Sequence, residues 1–348
     1  ICSKRWITEQ YESYVQLVGV QRHGGDGGVL RVKGTDRALA IALDGNGRWC
    51  WLDPKLGAMH AVAEASRNVV CAGGKPLGAT NCLNFGNPEK PPIMWQFSQV
   101  IDGMTRACEE LEIPITGGNV SFYNETLGEG IYPTPVIGVV GLLEEASKRM
   151  THDFRSAGRA IVLLRGSEPG DATDAEVEFG SSEYAKEICG ALWGFPPALE
   201  LEEEAALQNC VSELIGAGLI DSAHDCSDGG LAVAVAESAF PRDLGARVEL
   251  RSDGLAPEYL LFGEDASRVV ISCDSEKLKR IQEVAVKWGA TAESIGQTTS
   301  SQVEFFVDGR RVVAAPVSEL KAAWEEALPQ ALHSETEERL VPEILQKS

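Results

Sequence analysis

Asn81-Cys82-Leu83-Asn84-Phe85-Gly86-Asn87-Pro88-Glu89-Lys90-Pro91 and, further along, Gly117-Gly118-Asn119-Val120-Ser121-Phe122-Tyr123-Asn124-Glu125-Thr126 are the two strings that organise this chain. Each follows an apolar, strand-like run and sets small or amide residues where a backbone can approach a ligand closely. Glycine permits that approach, and Asn and Ser offer neutral donors and acceptors. Asx-turns account for some of Asn81, Asn84, Asn87, Asn119, Ser121, Asn124 and Glu125, but the run is too rich in amides for routine turns. The strings read as binding loops for a polyanion and its metal ion.

Working outward, residues 76–80 and 113–116 predict strands leading into the two loops, 94–111 a helix between them, and 135–143 a further strand. Upstream, 29–32 and 38–43 read as strands and 58–72 as a helix with a narrow small-residue face of Ala61, Ala65, Val69 and Ala72. Gly73-Gly74 supplies its left-handed C-terminal cap. The order is mixed, which favours an α+β fold of layered helices and sheet over strict alternation. The charged, turn-rich stretch 144–158 marks a boundary, giving domains at 1–150 and 151–330 and a charged tail at 331–348 that is frayed or loosely helical. In the second block, strands are predicted at 160–164, 247–250, 269–273, 292–298 and 303–307, with another running into Ala223. Helices are predicted at 201–217, 229–239 and 275–288, and Asp308-Gly309 signals a hairpin.

At 348 residues the chain is long for one core, and 44% hydrophobic with 24% charged residues is ordinary for a globular protein. A net charge of −21 is not ordinary, and argues against sequence-independent nucleic-acid binding, which needs Lys and Arg on phosphates. Metal ions, backbone N–H groups and helix N-termini can still hold a phosphorylated small molecule on an acidic protein. The nine cysteines, at 2, 50, 71, 82, 108, 189, 210, 226 and 273, are odd in number and form no CxxC pair, which points to reduced thiols in the cytoplasm. No run is apolar enough to span a bilayer, and no signal peptide is present. The chain starts at Ile1, as expected of a piece of a longer polypeptide.

Three weaker constellations remain. Gly24-Gly25-Asp26-Gly27-Gly28 precedes a strand and reads first as a tight turn, second as a phosphate cradle. Glu64 and Asn68 share a helix face and, with Asp44 at a strand end, form an oxygen set suited to Mg²⁺; spacing alone favours an exposed polar pair. In Ala223-His224-Asp225-Cys226-Ser227-Asp228-Gly229-Gly230-Leu231, Ser227 or Asp228 is expected to cap the following helix. The functional alternative has Asp225 or Asp228 face an interdomain cleft and bind a metal. His224 reads as a satisfied local hydrogen-bonder, not a general base.

Taken together, these strings resemble the phosphoribosylformylglycinamidine synthase (formylglycinamide ribonucleotide amidotransferase) family, specifically the C-terminal half of its large synthetase subunit, PurL. The resemblance rests on Leu52-Asp53-Pro54, Ala61-Val62-Ala63-Glu64-Ala65 with Arg67-Asn68-Val69, and residues 80–91 and 117–126. Tyr132-Pro133-Thr134-Pro135-Val136, Gly180-Ser181-Ser182-Glu183-Tyr184 and residues 224–231 add to it. It implies the PurM-like fold, in which an N-terminal α/β domain pairs its mixed sheet with a partner copy and a C-terminal α/β domain flanks it. It implies an ATP-dependent ligase: the formyl amide oxygen of formylglycinamide ribonucleotide is phosphorylated, and ammonia from a glutaminase displaces phosphate to give the amidine.

By this resemblance Asn81 and Gly118 contact ATP, Asn119 is a Mg²⁺ ligand and Ser121 touches the ribonucleotide. Some relatives carry Asp where Asn81 stands, so a hydrogen bond is implied there, not a charge. Asp44, Glu64, Asn68 and Asp228 resemble metal ligands of a second, non-catalytic nucleotide site. The implied partners are the N-terminal half of the synthetase, the glutaminase PurQ and the small bridging subunit PurS, with neither nucleic acid nor membrane. The family's catalytic histidine lies in a His-Cys-Ser-Tyr motif that this sequence lacks, so no catalytic residue is expected in this half and the chain alone is expected to be inactive. Two readings compete: a stand-alone kinase or synthetase of the thiamine-phosphate or selenophosphate type, and a purely structural half.

Overall fold

The structure, a computed structural model, describes residues 1–10, 19, 25–166 and 172–345. After α1 (Arg5–Thr8), the first domain runs β1 (Gly28–Arg31), β2 (Ala38–Asp44), α2 (Gly47–Leu52), α3 (Pro54–Cys71), β3 (Lys75–Asn84), α4 (Pro91–Glu110) and β4 (Ile115–Ser121). A small hairpin, β5 (Glu125–Thr126) and β6 (Glu129–Gly130), leads into β7 (Thr134–Leu143). The sheet order is β1-β2-β7-β3-β4, antiparallel except for β3 and β4, which run parallel because α4 crosses over between them.

The two amide-rich strings are therefore not loops throughout. Asn81–Asn84 closes β3 and Gly117–Ser121 closes β4, because the ladder between them continues past the apolar residues. Only Phe85 onward and Phe122 onward leave the sheet.

Helix α3 fixes the layering. Asp53 caps it by accepting from Lys55 N and Leu56 N at 3.0 and 2.9 Å, and Pro54 takes a position where no N–H is needed. Gly73, at φ 90°, ends it: Gly73 N reaches Val70 O and Gly74 N reaches Val69 O, the paired bonds of a Schellman cap. The small face predicted from Ala61, Ala65 and Val69 is buried, but so is most of the helix circumference. One side lies under the sheet. Another meets α4, where a Cβ on Gly103 would come 2.2 Å from Lys55 O. A third meets the second domain.

That domain contains β8 (Ala160–Arg165), α5 (Ala172–Phe179), α6 (Glu183–Glu187), α7 (Leu201–Gly216), β9 (Ser222–Asp225), α8 (Gly230–Ala239) and β10 (Gly245–Leu250). It continues through α9 (Pro257–Phe262), β11 (Arg268–Cys273), α10 (Leu278–Trp288), β12 (Thr291–Thr299), β13 (Gln302–Val307), β14 (Arg310–Pro316) and α11 (Val317–Leu345). Its sheet, β14-β13-β10-β12-β8-β11-β9, has cores on both faces. Val162 and Leu164 of β8 join α7 and α10, while Ile161 and Leu163 join α8, as strand alternation requires. Asp308 and Gly309 (φ 49° and 76°) make the expected turn from β13 to β14. The charged tail, expected to be frayed or loosely helical, is continuous with α11 to Leu345. Among the described residues no helix is long and apolar enough to cross a membrane.

Arg67 of α3 joins the domains. Its Nε donates to Asp225 Oδ1 at 2.5 Å and its Nη1 to Glu204 Oε2 at 2.7 Å, with all three side chains at least 97% buried. Ser267 Oγ and Gln208 Nε2 donate to the remaining Glu204 positions, so the buried charges are hydrogen-bonded as well as paired. His224 is satisfied as expected, though by distant partners: its ring bonds Asp26 Oδ1 at 2.6 Å and Glu237 Oε2 at 3.3 Å, tying the glycine run to β9 and α8. Within that run, Gly24 lies outside the described residues.

Candidate functional site

Two places in the fold gather the sequence candidates. The first is the free edge formed by the ends of β3 and β4. In register, Asn81 stands beside Gly118, Cys82 beside Asn119 and Asn84 beside Ser121. Because alternate residues face opposite sides, Asn81 and Gly118 share the helix-bearing face while Asn119 and Ser121 share the other. The Asn81 carboxamide lies against Gly118: a Cβ there would fall 2.1 Å from Asn81 Oδ1. Asn119 donates only a weak contact to Cys82 Sγ, 3.5 Å, and is exposed.

The other amides hold the loops. Asn84 Nδ2 donates to Cys82 O and Thr134 O, both at 3.2 Å. Asn124 Nδ2 donates to Phe85 O and Ser121 O, both at 3.0 Å, which joins the exits of both strands. Asn87 Oδ1 accepts from Glu89 N, and Glu125 Oε1 accepts from Asn87 N and Lys90 Nζ. The Asn81 side chain makes no hydrogen bond among the described residues, and Asn119 makes only the weak one to Cys82.

The second place is a cleft of about 440 Å³ between the domains, lined by Asp44, Gly45, Asn46, Gly47, Arg48, Glu64, Tyr132, Thr134, Glu183 and Asp228. Asp44, Glu64 and Asp228, far apart in sequence, thus meet; Asn68, one turn along α3 from Glu64, is not part of its lining. Burial pushes Asp44 up to about 7 against the pull of the Gly45 backbone bond, and Asp228 and Asp225 add to the rise. Burial, then Asp44, raises Glu64 well above the usual carboxylate range. Crowded acids hold protons that a cation could replace. The donors are all oxygen, as Mg²⁺ prefers. Among the described residues no three His, Cys, Asp or Glu converge on one point, so these acids line a common cleft without forming a closed metal site by themselves.

The capping expected from Ser227 or Asp228 does not occur. Gly229, left-handed at φ 80°, occupies the cap position of α8 without a local side-chain bond, and its N–H goes to Glu264 Oε1 at 2.7 Å. That frees Asp228 to face the cleft. Asp225 turns instead to Arg67 and is buried away from it.

The chain matches the model of the AIR synthase related protein N-terminal domain over residues 24–143 and that of its C-terminal domain over 156–309. It belongs to the AIR synthase related family. It is 47% identical over 329 residues to phosphoribosylformylglycinamidine synthase subunit PurL of Moorella thermoacetica, covering 94% of this chain and 44% of that one. Identity to the Anaeromyxobacter dehalogenans subunit is 43% over 352 residues, 95% of this chain and again 44% of the relative. The chain therefore spans less than half the length of these relatives. In fold it resembles Thermotoga maritima PurL complexed with FGAR, with a TM-score of 0.74 and 20% identity over 90% of this chain and 51% of that one.

Membership of the AIR synthase related family explains the two layered domains with mixed sheets. The residues that sequence reasoning missed are Arg48, Glu183 and Glu264. Arg48 Nη1 bonds Glu183 Oε1 at 2.5 Å across the cleft, and Asn46, capping α2 through Arg48 N and Trp49 N, sets its direction. Glu183 lay in a motif already singled out, but its partners are distant in sequence. Trp51 and Tyr132 stack at 5.2 Å by the cleft, both substantially exposed.

Proposed function

We propose that this chain is the C-terminal half of a synthetase subunit that converts formylglycinamide ribonucleotide, ammonia from glutamine and ATP to formylglycinamidine ribonucleotide, ADP and phosphate in de novo purine biosynthesis. Its domains divide at 1–150 and 151–330, it works in the cytoplasm, and an N-terminal half completes its active site. The 47% identity to a PurL subunit supports the family role. The observation that carries the divided site is the uncovered side of the first sheet. Leu39, Ile41, Leu43, Val140 and Leu142 lie in register on the face opposite α3, and Leu43 remains 69% exposed. Edge strand β4 is exposed along nearly its whole length, including Ile115 and Val120. An apolar face continuous with an open strand edge calls for a matching sheet.

In this reading Asn81 and Gly118 meet ATP, Asn119 holds Mg²⁺ through its carboxamide oxygen and Ser121 meets the ribonucleotide. The bound ion would neutralise developing phosphate charge. The cleft of Asp44, Glu64 and Asp228 is a second Mg²⁺–nucleotide site. Solved relatives by fold include T. maritima PurL complexed with ATP and a PurLQS assembly, which support ATP as ligand and PurQ and PurS as partners. Calorimetry with Mg²⁺–ATP, with and without the N-terminal half, tests the proposal. A binding event additional to that of the cleft, appearing only on reconstitution, together with amidine formation by the pair and not by the chain alone, is the expected result. Amidine formation by the isolated chain at the rate of the pair would overturn it.

A further inference from the structure

Glu264 sits in the turn between α9 and β11, only 4% exposed. Its Oε1 accepts two backbone N–H groups from separate parts of the chain, Gly229 at 2.7 Å and Glu183 at 2.9 Å. Each of those amides belongs to, or directly follows, an acidic residue of the cleft: Glu183 itself and Asp228. The turn carrying Glu264 is held in its own right, since Arg268 Nη2 donates to Gly263 O at 2.6 Å and Nε to Asp265 O at 3.1 Å. Gly230 presses on the same turn, where a Cβ would come 2.3 Å from Gly263 O.

A carboxylate at a helix N-terminus is a common stabiliser. Here it does something more specific. Ser227 and Asp228 are both competent to cap α8, yet neither does; Glu264 takes the duty from outside the segment. A capping Asp228 would fold back on its own helix. Released from that bond, it lines the cleft with Asp44, Glu64 and Glu183.

We infer that Glu264 is a positioning residue that fixes the Asp228 carboxylate, and beside it the Glu183 partner of Arg48, for a divalent cation bound with a nucleotide phosphate in the cleft. This rests on the reading of the cleft as a second Mg²⁺–nucleotide site. Glu264 touches neither ion nor nucleotide; it acts through the two backbones it closes.

The test uses the 348-residue chain with Mn²⁺ and ADP as probes, read by electron paramagnetic resonance titration of bound Mn²⁺ well below the melting temperature. Wild type binds and Asp228→Asn loses binding. Glu264→Ala, lacking both backbone bonds, weakens it by tenfold or more on the order of one mispositioned ligand. Glu264→Gln keeps an acceptor for both N–H groups and binds within about threefold of wild type, a rescue that loss of general stability would not produce. If Glu264→Ala does not fold, Glu264→Asp decides, since it keeps a carboxyl group but draws the acceptor back by one methylene; it too must weaken binding. Wild-type affinity in Glu264→Ala, or in Glu264→Asp where Ala is unfolded, overturns the positioning role while leaving the cleft as a site. Absence of binding to wild type, or binding untouched by Asp228→Asn, overturns the cleft reading itself and the positioning role with it.

Discussion

The side chain of Asn81 lies in the space a Cβ on Gly118 would need, 2.1 Å from its Oδ1 and 2.7 Å from its carbonyl oxygen. Gly118 is therefore glycine for contact and not for backbone angle, and the two residues behave as one unit at the strand edge. Gly118→Ala must displace the carboxamide and strain the β3–β4 ladder, costing about 1–3 kcal/mol as an overpacked contact does. Asn81→Ala, which removes a side chain with no hydrogen bond among the described residues, should change stability by no more than about 0.5 kcal/mol. Both should impair Mg²⁺–ATP binding in the reconstituted synthetase. Urea melts beside calorimetry separate the two effects, and equal affinity in all three proteins would remove the pair from the nucleotide site.

Arg67 gives a prediction about the domain junction. Removing it leaves Asp225 and Glu204 buried without their cation, so Arg67→Ala should destabilise the chain by about 3–5 kcal/mol. Replacing the whole cluster by apolar residues of similar volume should cost far less, because no charge then stays unpaired. Urea denaturation of the single variant and the triple Arg67→Met, Glu204→Leu, Asp225→Leu checks this. A triple variant as unstable as the single one would show that the junction depends on the ions themselves.

How far the sequence could be read follows from what each signal depends on. Local signals held where Gly73-Gly74 closed α3 and Asp308-Gly309 turned β13 into β14, but the helix expected from residue 58 opens at Asp53-Pro54, one turn earlier. Strand ends were misplaced where polar residues continued a ladder, since Asn81–Asn84 pairs through its backbone and its side chains carry no apolar alternation. Glu64 and Asp44 could be joined as candidates by residue type, but nothing local shows that Asn68 misses the cleft. The cap of α8 was misassigned for the same reason. Its acceptor, Glu264, comes from well beyond the helix, and no spacing within residues 224–231 reveals it.

The uncovered sheet face predicts an assembly defect. Leu43 is 69% exposed beside Gly138 in register, on the face that the proposed N-terminal half would cover. Leu43→Asp should leave the isolated chain folded, since an exposed position loses little, while placing a charge in the joined interface. Sedimentation of the variant with the N-terminal half should show association weakened at least tenfold, about 1.4 kcal/mol or more. Unchanged association would put the partner elsewhere.

His60 gives the chain a specific pH response. Its Nε2 bonds Pro197 O at 2.7 Å, it is 3% exposed against Trp49, and burial drives its pKa down to about 4. An unfolded histidine titrates near 6.5, so below that pH the unfolded chain takes up a proton that the folded chain refuses. The stability tied to neutral His60 is complete above about pH 6.5 and is lost as pH falls toward 4, at up to about 1.4 kcal/mol per unit. His224 has the opposite shift, raised by Asp26 and Glu237 against its burial, so its contribution is fully present below the unfolded value near 6.5 and is lost above it; it cancels from any comparison of variants that keep it. His60→Gln keeps a donor for Pro197 O but does not titrate. Relative to wild type, the variant should therefore gain about 1.5 kcal/mol between pH 6.5 and 5, measured as the difference between urea unfolding curves at each pH. A difference independent of pH would mean that His60 titrates inside the fold as it does in the unfolded chain.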